Sequence, residues 1–273
     1  MSHAPSIPAA PLPPVFTVSV VVHLAALGAG LWLPGAWPWA IGAIVLNHAL
    51  ITAAGLTPRS RLLGPNVTRL PAAAVARREV ALTIDDGPDP DVTPQVLDLL
   101  DAHGQRATFF CIAERVAAHP ALAREIVARG HSIQNHTARH RHNFSFLGPR
   151  GYATEISRAQ DLLTHATGER PICFRAPAGL RNPFLAPVLR RLGLSLVSWT
   201  RRGFDTRERD PAKVLDRLVR GLAPGDILLL HDGNAARTAS GQPIVLAVLP
   251  PLLDRLATDR LRAVTLPEGL KTP

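Results

Sequence analysis

The sequence predicts an α/β fold: a parallel, closed or nearly closed barrel wrapped in helices and preceded by a pair of apolar helices. Three observations carry this. Charge is confined to one part of the chain: residues 1–58 hold no Lys, Arg, Asp or Glu, so all 30 basic and all 21 acidic residues lie in 59–273. That uncharged stretch contains two apolar runs, each close to the ~20 residues that a bilayer-spanning helix needs. From Glu79 onward, short aliphatic and β-branched runs alternate with helical patterns, as in repeated β-α units with buried strands.

The apolar runs are residues 15–33 (VFTVSVVVHLAALGAGLWL) and 37–56 (WPWAIGAIVLNHALITAAGL), joined by the short turn PGA. They read as a transmembrane hairpin. Trp32, Trp37 and Trp39 cluster at the turn, where an interfacial aromatic belt would lie. A single anchor and a cleaved signal peptide are the competing readings. A signal peptide wants a basic start and a shorter apolar core, whereas residues 1–14 are Pro-rich and lack Lys and Arg. His23, Asn47 and His48 interrupt the runs and suit hydrogen bonds between the two helices. The expected organisation is a Pro-rich tail over 1–14, two transmembrane helices over 15–57, a basic linker over 58–78 and a folded domain over 79–268. A hairpin leaves both flanks on one side. Arg59, Arg61, Arg69, Arg77 and Arg78 follow it while the turn is uncharged, so the positive-inside rule puts the large domain on the cytoplasmic side of a bacterial-type inner (plasma) membrane.

The net charge of +9 comes mostly from Arg. The arginines are interleaved with acids and lack an aromatic platform, which argues against nucleic acid as a partner. A solvated Arg-rich surface is the plainest reading; an anionic membrane surface or a phosphate-bearing substrate is the functional one. Cys111 and Cys173 show no metal-type spacing and read as buried free thiols, with a disulfide left open.

Seven strands are expected, at 80–85 (VALTID), 107–112 (ATFFCI), 131–135 (HSIQN), 172–176 (ICFRA), 194–199 (LSLVSW), 226–231 (DILLLH) and 262–266 (RAVTL). After the first, Thr93 and Pro94 suit a helix start and Gly104 a stop. In barrels of this kind chemistry gathers where the strands end.

Four strand ends and one following loop carry reactive groups. TIDDGP ends the first strand on two carboxylates, Asp85 and Asp86; alternation would split them across the sheet unless the chain turns there, and Gly87-Pro88 supplies a turn. An Asp-rich turn capping a helix fits the same residues. NHTARHRH places His136 and His140 four apart, so one helical turn would bring both imidazoles to one face, with His142 as a spare. Asp86, His136 and His140 form a two-His, one-carboxylate set suited to a divalent metal with open positions. FRAPAG offers Arg175 as counter-ion to Asp85; a nearby cation favours the charged form of a carboxylate. DILLLHD delivers His231, which can serve as a general acid, and WTRRGFDT supplies Asp205 to orient it.

In this order the segments resemble the polysaccharide deacetylase family, the NodB-homology carbohydrate esterases (family 4-like), here in a membrane-anchored form. TIDDGP looks like the family's T-F-D-D-G-P with Ile84 for Phe; HTARH fits H-[ST]-x-x-H; RAPAG fits R-x-P-aromatic-G with Ala178 for the aromatic; Leu229-Leu230-His231 fits L-x-H; Asp205-Thr206 falls where Asp-Trp is common. The resemblance spans about 79–268. It implies a distorted (β/α)7 barrel and one divalent ion, zinc first, with cobalt, nickel or manganese as alternatives. It assigns Asp85 as general base, Asp86, His136 and His140 as metal ligands, Arg175 as the residue orienting Asp85, His231 as general acid and Asp205 as its tuner. The implied reaction removes an N-acyl group, acetyl above all, from an amino sugar. Loss of the aromatics at Ala178 and Thr206 turns the reading from a long polymer toward a smaller N-acylated sugar on a membrane lipid phosphate. A catalytically silent sugar-binding module, a membrane scaffold and an O-deacetylase are the alternatives.

Overall fold

The computed structural model describes residues 13–271; most of the Pro-rich tail lies outside them. Helices α1 (Pro14–Trp32) and α2 (Trp37–Leu56) come first. The short helix α3 (Ala72–Ala76) leads into the barrel. Its strands are β1 (Glu79–Asp85), β2 (Thr108–Cys111), β3 (Ser132–Asn135), β4 (Cys173–Phe174), β5 (Ser195–Leu196), β6 (Arg201–Arg202), β7 (Ile227–His231) and β8 (Arg262–Val264). Between them run α4 (Thr93–Ala102), α5 (Ala113–Ala118), α6 (Pro120–Ala128), α7 (Pro149–Thr167), α8 (Leu185–Arg191), α9 (Pro211–Val219) and α10 (Ile244–Thr258), with α11 (Leu266–Gly269) closing the chain.

Every strand pairing is parallel, in the order β5-β4-β3-β2-β1-β7-β6, with β8 paired to the start of β1. This is the expected distorted barrel, open between β5 and β6. The expected seven strands are all present. The eighth, β6, is Arg-Arg, which carries no apolar signature. Alternation sorts each strand's residues. Val80, Leu82 and Ile84 of β1 and Leu228 and Leu230 of β7 join the outer core beneath α4 and α10, while Ala81, Ile227 and Leu229 face a smaller inner core. The same alternation turns Asp85 and His231 inward, and register sets them side by side: Asp85 pairs with Phe110 on one flank and with His231 on the other. On the far side of β2, Cys111 pairs with Asn135, and Asn135 with Phe174. The residues after those partners, His136 and Arg175, therefore arrive at the same rim.

The stretch 58–78, expected as a basic linker, lies against the barrel. Val67 bridges to Val197, the Leu70 amide donates to the Gly225 carbonyl at 2.8 Å, and Arg69 and Arg77 pair with the fully buried carboxylates of Asp226 and Glu79, both at 2.8 Å. The helices α1 and α2 pack on each other. Their polar intrusions meet as expected: Asn47 donates to the Ser19 hydroxyl at 2.9 Å, and the His23 and His48 Nε2 atoms lie 3.2 Å apart. Both helices have the length and hydropathy to cross a membrane and keep most of their apolar side chains, including Trp32 and Trp39, exposed. Cys111 and Cys173 are free and buried, and burial pushes both thiols up, Cys173 to about 12.

Candidate metal centre and active site

β1 ends on Asp85, and Asp86 turns the chain with φ 73°, so both carboxylates reach one cleft despite being adjacent. The turn is tightly built. A Cβ on Gly87 would lie 2.4 Å from the Asp232 carboxylate, which accepts from the Thr93 hydroxyl and the Gly233 amide. Asp232 was not singled out by its sequence context; it braces the TIDDGP turn from just past β7 and, fully buried, is pushed up to about 6 by that burial. Thr93 is the first residue of α4 instead of its cap; its hydroxyl is engaged with Asp232 and with the Asp89 amide.

His136 follows β3 directly. The segment to His140 is not the expected helical turn: Thr137 and His140 take left-handed conformations (φ 70° and 52°), folding the chain back so that the rings lie 4.9 Å apart between centroids. The His140 amide donates to the Thr137 hydroxyl at 2.8 Å, and the Thr137 amide to Asn135 Oδ1 at 2.9 Å, which fixes this loop. His136 Nδ1 donates to the Arg175 carbonyl at 2.9 Å, which leaves Nε2 as the ligating nitrogen. His142 is exposed on the cleft wall and outside the cluster.

Asp86, His136 and His140 are grouped as the sequence suggested, their ligand atoms all within 4.8 Å of one another. Asp86 Oδ1 lies 3.3 Å from Nε2 of each histidine. Two atoms each about 2.0–2.1 Å from a tetrahedral ion sit roughly 3.3–3.4 Å apart, so these spacings fit a zinc-sized cation. The electrostatics agree. Asp86 Oδ1 is buried without a hydrogen-bond partner, an arrangement that is costly unless a cation faces it. Burial alone would raise Asp86 and lower His136. The neighbouring histidines nonetheless hold Asp86 well below the usual carboxylate range, and the Asp85 and Asp86 charges raise His136. Burial and the neighbouring His136 lower His140, which favours the neutral form that can ligate. The second Asp86 oxygen accepts from Asn234 at 3.1 Å, and Arg115 donates to the Asp86 carbonyl at 3.0 Å. Neither partner was legible as a site residue, although Asn234 stands three residues after His231.

Asp85 faces Arg175 at 2.6 Å, both fully enclosed, and the guanidinium also donates to the Thr83 hydroxyl and the Ser198 carbonyl while lying over the Phe110 ring. His231 Nδ1 is 2.9 Å from Asp205 Oδ1, and Asp205 Oδ2 accepts from the His231 amide at 2.7 Å. Burial would lower this imidazole, but the charges of Asp205, Asp85 and Asp86 push it up to about 9. Ala178 is left-handed (φ 53°), lines the cleft, and its amide donates to no partner among the described residues. Beside it Trp199 gives the cleft an aromatic wall. All seven expected site residues except Arg175 and Asp205 border the cleft itself, and those two stand directly behind Asp85 and His231.

A parallel barrel with a cation-ready Asp-His-His cluster beside an Asp-Arg pair and an Asp-His pair defines a metal-dependent hydrolase. Residues 72–197 match the family model described as polysaccharide deacetylase. The chain is 34% identical over 194 residues to a peptidoglycan-N-acetylglucosamine deacetylase of Bacillus cereus, covering 70% of this chain and 88% of that one. It is 34% identical over 165 residues to a chitooligosaccharide deacetylase of Sinorhizobium fredii, covering 60% and 76%. Its fold superposes on a family 4 carbohydrate esterase from Streptomyces lividans, solved with acetate, with a TM-score of 0.61 and 32% identity over 68% of this chain and 91% of the other. The chain belongs to the polysaccharide deacetylase family, whose named relatives are carbohydrate deacetylases.

Proposed function

We propose that this protein hydrolyses the N-acyl group, acetyl in the first instance, of an amino sugar carried on a membrane lipid phosphate, from a two-pass anchor in the inner membrane with its barrel on the cytoplasmic side. The observation that carries the hydrolase reading is the meeting of the Asp85–Arg175 pair, the Asp86-His136-His140 cluster and the His231–Asp205 pair at one barrel rim. Support for the membrane comes from α1 and α2, whose apolar surfaces face outward.

A divalent cation on Asp86, His136 and His140, zinc by its match to two imidazoles and a carboxylate, would supply the Lewis acid for the water and the acyl carbonyl. Asp85, held by Arg175, takes the proton of the attacking water as the new C–O bond forms. The free Ala178 amide faces the carbonyl oxygen as it gains charge; one such donor is typically worth about 3–4 kcal/mol. His231 is protonated at neutral pH and gives its proton to the nitrogen as the C–N bond breaks. The products are a carboxylic acid and a free amino sugar, and a neutral amine can leave only because His231 supplies that proton.

Turnover of N-acetylated sugars by the purified chain, lost with chelator and with Asp85→Asn, tests the reaction; a metal-binding chain that turns over none of them is a silent module. His231→Ala should slow amides far more than activated esters, whose leaving groups need little protonation. Equal losses would remove His231 from the acid role. A C-terminal reporter active only in the cytoplasm tests the orientation.

A further inference from the structure

The catalytic cleft does not end at Trp199. Ala178, Trp199 and Arg202 are shared with a second groove of about 590 Å³ that runs to Leu56 and Thr57, at the end of α2. Its lining includes Arg59, Arg201, Arg202 and Arg217, and no Asp or Glu. Four guanidinium-bearing residues with no acid in the lining give the groove a cationic surface, although Asp226 and Glu208 behind it pair with two of them and Asp205, Asp85 and Asp86 in the adjoining cleft act on Arg202.

The four arginines differ in what occupies them. Arg201 is consumed by Asp226 and by the Arg220 and Gly221 carbonyls, and Arg217 by the Gly203 carbonyl and Glu208. The side chains of Arg202 and Arg59 make no hydrogen bond or ion pair among the described residues. Alternation along β6 sends Arg201 to Asp226 and Arg202 to the cleft. There the Arg202 guanidinium lies between two rings, 5.2 Å from the Trp199 centroid and 4.9 Å from that of Phe204. Its Nε is buried with no acceptor. Contact with the two rings engages the guanidinium carbon and leaves its N–H groups without an acceptor among the described residues, free to present the fork that suits phosphoryl oxygens. Arg207, also without a side-chain partner among the described residues, lines the same cleft.

We propose that Arg202, with Arg59 at the far end, forms a subsite for a phosphoryl group esterified to the amino sugar, which positions the sugar with its acyl carbonyl over the Asp86-His136-His140 cluster and its nitrogen toward His231. The subsite rests on the deacylase reading for the identity of the sugar. The same phosphoryl chemistry could come from a lipid headgroup or from a soluble sugar phosphate. The groove's course from the metal cluster to the end of an apolar helix favours the lipid.

The full chain in detergent is assayed for deacetylation of three probes: N-acetylglucosamine, N-acetylglucosamine 1-phosphate and a prenyl-phospho-N-acetylglucosamine. The Asp85→Asn chain is titrated with the same probes by calorimetry. The soluble phosphate should exceed the neutral sugar in kcat/KM and in affinity by about tenfold or more, the worth of one charge-assisted hydrogen bond. Arg202→Gln should collapse that ratio toward one, mainly through KM, and Arg59→Gln should reduce it, whereas Arg209→Gln, outside the groove, should preserve it. A further gain for the prenyl probe assigns the phosphate to a lipid; equality of the two phosphates assigns it to a soluble ester. Turnover of all three sugars with equal kcat/KM and equal affinity overturns the subsite while leaving the hydrolase reading intact. Tighter binding of the phosphates without turnover of any probe does the reverse. N-acetylmuramic acid competing as strongly as the sugar phosphate would show that any anion suffices and would also overturn the proposal.

Discussion

Asp205 grips His231 at two points, one carboxylate oxygen on the ring Nδ1 at 2.9 Å and the other on the residue's own amide at 2.7 Å. Ring orientation and backbone position are thus fixed by a single fully buried side chain. Nε2 is left to face the cleft, which is the geometry a proton donor needs.

The pH dependence follows. His231 is raised to about 9, so its proton is present at neutral pH and lost as pH climbs through that value. Activity on amides should fall on the alkaline side accordingly. Asp205→Asn removes the main raising charge and should move the alkaline limb of kcat to lower pH, with kcat itself falling; acid catalysis typically contributes about 10²–10⁴-fold. A pH–rate profile of the two chains checks this, and an unmoved limb would dissociate Asp205 from the acid.

Metal content should track the cluster. Wild-type chain should bind one divalent ion, and Asp86→Ala or His140→Ala should lose it, as read by elemental analysis. Zinc at about a hundred times its Kd should stabilise the wild type by about 2.7 kcal/mol and the variants by far less. Equal thermal shifts in all three chains would place the ion elsewhere.

Arg175 and Asp85 should behave asymmetrically. Arg175→Met strands a buried carboxylate and should cost about 3–5 kcal/mol in urea denaturation. Asp85→Asn keeps a hydrogen-bonding partner for the guanidinium, so it should abolish turnover at a smaller cost in stability. Adding Asp85→Asn to Arg175→Met should recover part of the loss; strict additivity would mean the pair is not coupled.

Gly179 has φ +74°, and a Cβ there would lie 2.6 Å from Pro58 and 2.8 Å from Trp199. Gly179→Ala should cost about 1–3 kcal/mol through overpacking and disturb the cleft beside Ala178. An unchanged melting curve would mean that the 58–78 stretch can move away freely.

Much of this site could be read from the chain because most of its groups sit at or just past the end of a buried strand, where period-two alternation is strong. The Asp85 and His231 ends announce themselves through VALTID and DILLLH. The pairing of His136 with His140 was legible by spacing, although the backbone achieves it with two left-handed residues in place of a helical turn, and Asp86 was joined to them by its chemistry and by the family resemblance. What stayed hidden depends on register. Asn234, Asp232 and Arg115 act through partners more than a hundred residues away or across the barrel, and nothing local marks them. The Arg-rich stretch 58–78 read as a basic linker because its buried partners, Glu79 and Asp226, lie outside it, on or beside strands. β6 was missed because two half-buried arginines leave no apolar trace.

Arg181 ties the last turn of α2 to the loop after the RAPAG segment: its amide donates to the Gly55 carbonyl at 3.2 Å, and its guanidinium holds the Pro58 and Ser60 carbonyls. Phe16 of α1 meets Phe184 nearby, with ring centroids 5.6 Å apart. A barrel fastened this way does not swing on a leash. In the membrane-anchored reading proposed above, its mouth would stay at one height above the lipid, and the enzyme would sample a lipid-borne substrate by lateral diffusion in two dimensions. Its rate should then follow the mole fraction of substrate in the surface and fall when inert detergent or lipid dilutes it, even at constant bulk concentration.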